Sequence, residues 1–124
     1  MYGCIAVGAG GFAGAVLRYL ISLVPLKETT VFPVKTFIIN ISGCILIGCI
    51  AALVSKNVLL NQELILFLKT GLCGGFTTFS TFALETSDLM KNGNTGIAFL
   101  YAVLSIVIGI CVIFAAQYFI YKHL

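Results

Sequence analysis

Charge is scarce in this chain: charged residues make up 9% of its 124 positions, whereas a soluble domain needs roughly a quarter to cover its surface. That shortfall excludes an ordinary water-soluble protein. Histidine is nearly absent, with His123 alone at the C-terminal fringe. The five cysteines (Cys4, Cys44, Cys49, Cys73 and Cys111) show no CxxC spacing and all lie in apolar segments. The pattern argues against a zinc or redox site, and cysteine here reads as a small packing residue. No serine has a histidine partner and there is no metal-ligand cluster, so an enzyme is not expected. The N-terminus lacks a basic n-region and its apolar stretch is too long for a cleaved signal, so it reads as a first membrane helix.

Hydrophobic residues, by contrast, make up 60% of the chain, and the mean hydropathy is +1.15. Crossing a bilayer as helix takes about 20 apolar residues, and four stretches qualify: Tyr2 to Val24, Val34 to Val54, Glu63 to Met90 and Thr95 to Ile120. The expected fold is an all-α membrane protein of four transmembrane helices in a lipid bilayer. It forms one domain over residues 1–124, with nothing left for a soluble domain and no nucleic-acid partner expected.

Four spans put both termini on one side. That side carries Lys56, Lys69 and Lys122, and the other carries Lys27, Lys35 and Lys91. Discounting Lys69, which lies inside the third segment, still leaves no usable bias under the positive-inside rule. Two readings remain open: insertion one way, led by the first helix, or dual topology with copies paired antiparallel about a two-fold axis in the membrane plane.

Gly8 to Ala13 satisfies GxGxxA after an apolar run, and Glu28 lies near the usual acidic position. A dinucleotide fingerprint, however, needs a soluble strand-helix-strand unit, and only membrane-length segments follow. At 100° per residue, Gly10, Gly11, Gly14 and Arg18 instead share about a quarter turn of one helix, a small-residue face carrying an arginine and expected to meet another helix. Arg18 lies about 9 Å from the end of its span, so it either snorkels to the interface or is buried against a helix or a watery vestibule, where its charge favours anions. Asn40 occupies a similar depth in the second span and shares a face with Thr36 and Gly43. It faces either an interhelical hydrogen bond or water.

The third segment is the most unusual. Glu63 to Cys73 makes about 16 Å of helix, half-way across the hydrocarbon, before Gly74-Gly75. The helix is therefore expected to break at the bilayer midplane at that glycine pair and to restart at Thr77. Such a break leaves carbonyls for a cation and N–H groups for an anion, and irregular backbone at this depth has to be buried or line a cavity. Beyond it, Phe76, Phe79, Phe82 and Glu85 recur every third residue, with Thr77, Thr78, Ser80 and Thr81 between them. Aromatics at such spacing commonly form core. Beside an opened helix, their positive ring edges and the intervening hydroxyls also suit a small anion.

Gly10-Gly11-x-x-Gly14-x-x-x-Arg18-Tyr19, Asn40 and the run from Gly71 to Glu85 closely resemble the Fluc (CrcB-type) fluoride channels, and length, span count and balanced charge agree over essentially the whole chain. The resemblance implies a passive, fluoride-selective channel that relieves fluoride toxicity, placed in the bacterial cytoplasmic membrane. The assembly it implies is an antiparallel dual-topology dimer, with a second copy of the chain or a homologous subunit as partner, and two fluoride pathways. It further implies a structural, non-transported sodium ion at the dimer centre, held by the backbone carbonyls of Gly74 and Thr77. Asn40, Phe79, Ser80, Thr81, Phe82 and Glu85 would match the fluoride pathway, and Arg18 a structural or electrostatic position. In the fourth span only Tyr101, Ser105 and Gly109 stand out, and none is matched.

Three other readings compete. A small multidrug-type antiporter needs a membrane carboxylate, whereas the first span has Arg18 and no acid, and Glu85 lies beyond the midplane. A non-conducting scaffold subunit gives the broken helix no purpose. Half of an obligate heterodimer is disfavoured by the balanced lysines.

Overall fold

The computed structural model describes residues 1–27 and 29–124. Four segments among them are long and apolar enough to cross a membrane: Tyr2–Ser22, Val34–Ser55, Gln62–Lys91 and Thr95–His123. The first, second and fourth are continuous helices, α1 (Tyr2–Ser22), α2 (Val34–Ser55) and α5 (Thr95–His123). The third crossing is divided into α3 (residues 62–76) and α4 (Phe79–Lys91). Because α1 runs unbroken through Gly8 and Ala13, the dinucleotide-like motif has no strand or turn to act from. Its acidic companion Glu28 lies outside the described residues.

Asn61 starts α3 by accepting a hydrogen bond from the Leu64 amide at 2.8 Å. After one α-turn the helix widens into a π-helical segment, Leu66–Cys73, and tightens again over Gly74–Phe76. π-Helix is rare, and where it occurs it is often at functional sites. Thr77 (φ −79°, ψ 157°) and Thr78 (φ −146°, ψ 119°) are then extended. They open the second half of a 30-residue crossing.

The position of this opening corrects the sequence expectation. Gly74 is helical (φ −64°, ψ −39°), so the glycine pair does not break the helix and the restart comes at Phe79 rather than Thr77. Gly75 serves close packing: a Cβ there would collide with the Gly11 carbonyl oxygen and lie 3.0 Å from the Gly11 Cα. The threonines do the opening. Their β-branched side chains favour extended backbone, the Thr77 hydroxyl donates to the Cys73 carbonyl at 2.8 Å, and Thr78 caps α4 by accepting from the Thr81 amide at 3.2 Å.

Helix α1 packs along α3 through two facing Gly-x-x-x-Gly stretches, Gly10/Gly14 and Gly71/Gly75, the geometry small residues permit between membrane helices. A Cβ on Gly10 would meet the Phe67 carbonyl and lie 2.9 Å from the Leu72 nitrogen; one on Gly14 would meet the Leu72 carbonyl and lie 2.7 Å from the Phe76 nitrogen. The small-residue face read in α1 therefore does meet another helix, although Cβ positions on Gly8 and Gly11 would point into open space. On the other side α2 lies against α5, with Gly48 close to the Ile113 carbonyl and Gly109 to Cys44. The helix ends are tied by lysines donating to otherwise unpaired carbonyls: Lys35 to Ser22 at 3.0 Å and Lys56 to Tyr121 at 3.2 Å. Large apolar side chains such as Phe12, Phe99 and Phe114 point outward, the surface a lipid solvent requires.

Gly10→Ala and Gly14→Ala are expected to destabilise the protein by about 1–3 kcal/mol through overpacking against backbone. Gly8→Ala should be neutral or stabilising by up to about 1 kcal/mol, as alanine is the better helix former. Thermal unfolding of the purified variants in detergent reads the difference; equal shifts in all three would contradict the packing described.

Candidate functional site

Opening the backbone at mid-crossing frees polar groups that lipid cannot satisfy. Two side chains from neighbouring helices reach in. Asn40 of α2 pairs with both backbone groups of Thr78, its Nδ2 donating to the carbonyl at 3.0 Å and its Oδ1 accepting from the amide at 2.8 Å. A single amide thus replaces the ladder that Thr78 lost. Arg18 of α1 donates from Nε to the Gly75 carbonyl at 3.1 Å. Of the alternatives open from sequence, Arg18 is therefore engaged with a neighbouring helix rather than extended only to the interface, and Asn40 makes an interhelical hydrogen bond.

Other groups at the opening have no protein donor or acceptor among the described residues. The carbonyls of Gly74 and Thr77 receive no hydrogen bond. At the start of α4, Thr78 caps Thr81, while the amides of Phe79 and Ser80 have no helical partner to donate to. Carbonyls and amides are thus offered within a few residues of each other.

Two cavities meet at this point, sharing Thr78. The first, about 630 Å³, is lined by Arg18, Lys35, Thr36, Thr81 and Glu85 among others. Both carboxylate oxygens of Glu85 are engaged there: Oε1 accepts from the buried Thr36 hydroxyl at 2.7 Å and Oε2 from the fully buried Tyr101 hydroxyl at 2.8 Å. The second cavity, about 540 Å³, is lined by Asn40, Thr77, Phe79, Phe82 and Ser105 as well as Cys44, Cys73 and Lys69. The Ser105 hydroxyl is buried there without a hydrogen-bond partner among the described residues.

The six residues read from sequence as a pathway are distributed between these spaces. Asn40, Phe79 and Phe82 face the second cavity and Thr81 and Glu85 the first, while Ser80 lines neither and is exposed. The Phe79 and Phe82 rings lie 5.8 Å apart and tilted, and Phe82 meets Tyr101 edge-on at 5.0 Å. Phe76 belongs to the other side of the opening, so the three-residue stripe is split. Thr36 and Tyr101 were not singled out as site residues. The sequence signals for them were the i, i+4 placement of Thr36 with Asn40 and an isolated tyrosine in an apolar span.

A small polytopic membrane protein whose central crossing opens between a polar and an aromatic cavity has features that suit the passage of a solute. Comparison with known proteins narrows that reading. Residues 5–117 match the family described as CrcB-like protein, Camphor Resistance (CrcB), and the chain belongs to that family. It is 50% identical over 105 residues to a protein of Prosthecochloris aestuarii named "Fluoride-specific ion channel FluC", covering 85% of this chain and 82% of that one. It is also 46% identical over 115 residues to the protein of the same name from Chlorobaculum tepidum, covering 93% and 91%. The family is one of ion channels, not enzymes.

Tyr101→Phe and Thr36→Val each remove one donor from Glu85 while keeping the packing volume. Each is expected to cost about 1–3 kcal/mol, the penalty for a buried acceptor left unmet. Tyr118→Phe, at a residue 67% exposed, should cost nothing measurable. Unfolding midpoints of the three variants, compared side by side, check this; equal stability throughout would show that Glu85 does not need its hydroxyls.

Proposed function

We propose that the chain is the subunit of a fluoride-selective passive channel of the cytoplasmic membrane, which lets accumulated fluoride leave the cell. The observation that carries this reading is the opening at Thr77–Thr78, where unpaired amides, hydroxyls and aromatic edges converge between two cavities. Fluoride is small and strongly hydrated. A pathway for it has to replace water's donors without a charge strong enough to trap the ion. The Thr81 hydroxyl, the second N–H of the Asn40 amide, the free amides at the start of α4 and, on the exposed face, the Ser80 hydroxyl are donors of that kind. Phe79 and Phe82 add positive ring edges without a formal charge, while Arg18 raises the local anion concentration. The names carried by the relatives support the same reading.

The working assembly in this proposal is an antiparallel dimer, formed with a second copy or a homologous subunit. Phe79 is 79% exposed and a Cβ on Gly74 would meet nothing within the chain, so both present free surface for a partner at the level of the opening. The balanced lysine distribution supports insertion in both orientations. The carbonyls of Gly74 and Thr77 fit a hard cation, being oxygen ligands without hydrogen-bond donors, and two copies would supply four. A sodium ion held there would supply a fixed positive charge at the dimer centre and bind the two openings together.

Purified protein alone in liposomes should release fluoride to an electrode rapidly once a potassium ionophore compensates the charge, and should retain chloride. Phe79→Ile and Phe82→Ile should each slow efflux at least about tenfold, equivalent to about 1.4 kcal/mol of lost stabilisation, with assembly intact. Normal flux in both variants would reduce the phenylalanines to packing residues, and absence of flux in the unaltered protein would overturn the channel reading.

A further inference from the structure

Among the residues that line the second cavity, one is charged, Lys69. Lys69 belongs to the π-helical segment Leu66–Cys73, inside the third crossing Gln62–Lys91; it is exposed and is among the residues that line the second cavity. It forms neither a salt bridge nor a hydrogen bond among the described residues. An ammonium group within a membrane crossing is costly, and such residues typically face a water-filled space and act on what passes through it. The contrast with the first cavity is informative: there Arg18 and Lys35 share the lining with Glu85, whereas no carboxylate lines the space around Lys69. No carboxylate of this chain opposes its charge across that space, and the walls of Phe82, Cys44 and Ile106 are of low polarity. Low-dielectric walls focus such a field into the cavity.

We propose that Lys69 is a specificity-determining residue that draws anions into the second cavity, so that the opening is fed by a cationic approach from each side. The proposal rests on the channel reading above. A sphere of the cavity's volume, 540 Å³, is about 10 Å across. A unit charge at that distance raises the local concentration of a monovalent anion about two- to fifteen-fold as the effective dielectric falls from 80 to 20. Because the effect is a field acting over about 10 Å, it disappears when salt shortens the screening length below that distance.

The test is fluoride efflux from liposomes of zwitterionic lipid containing the full-length protein, at an ionic strength of about 0.01 M and again near 1 M with potassium gluconate. Screening lengths are then about 30 Å and 3 Å. At low salt, Lys69→Gln should lower the initial rate about two- to fifteen-fold, Lys69→Glu should lower it further, and Lys69→Arg should keep it. At high salt the four proteins should converge. Equal rates for the unaltered protein and the Gln and Glu variants at low salt would overturn the proposal and assign Lys69 to the lipid interface. A loss of the same size in both variants at both salt concentrations would also overturn it, in favour of a packing role. Flux in the unaltered protein with indifferent variants defeats only the role of Lys69, whereas no flux in the unaltered protein defeats the channel reading itself.

Discussion

The rest of the structure depends on one pairing, the Asn40 side chain with both backbone groups of Thr78. A helix in lipid satisfies its own backbone, and opening it there leaves groups whose burial costs several kcal/mol each. An extended pair of residues in mid-crossing therefore requires partners from outside the helix. Asn40 supplies both for Thr78 with one side chain, and Arg18 supplies one for Gly75. Each of these residues carries polar cost within a membrane span, and together with the opening they form a set whose members satisfy one another.

The close approach of the helices follows from the same requirement. Arg18 can reach the Gly75 carbonyl because α1 and α3 touch backbone to backbone through their glycines, and Asn40 can reach Thr78 because Gly43 leaves room for Thr77 against α2. Beyond the opening, Thr36, Glu85 and Tyr101 join α2, α4 and α5 by hydrogen bonds from both hydroxyls to one carboxylate. These bonds hold the second half of the divided helix against the continuous ones. The unpaired amides and carbonyls thus sit in a rigid frame, which suits a site that must replace an ion's hydration with fixed groups.

Much of this arrangement could be read from the sequence, for identifiable reasons. The spans followed from apolar runs of bilayer length, and the glycine face bearing Arg18 followed from helical periodicity alone. That the third helix opens near its centre was also legible. Its position was not, because Gly74-Gly75 reads as a breaker when nothing shows that Gly75 is needed for contact with Gly11. The Asn40 pair joins positions 38 residues apart, and Thr36 and Glu85 are separated by 49. Contacts at such separations depend on which helices become neighbours, and a single sequence does not carry that information. The π-helical widening before the opening likewise had no local signal.

The central claim is that a side chain from α2 holds the opened backbone in place. Amide hydrogen exchange at Thr78, followed by NMR in lipid nanodiscs, tests it most directly. If Asn40 holds the opening, exchange at Thr78 is slow, comparable to the amides within α4, and accelerates selectively at Thr78 in Asn40→Leu while the flanking helices stay protected. Rapid exchange at Thr78 in the unaltered protein, or protection unchanged by the substitution, would contradict it.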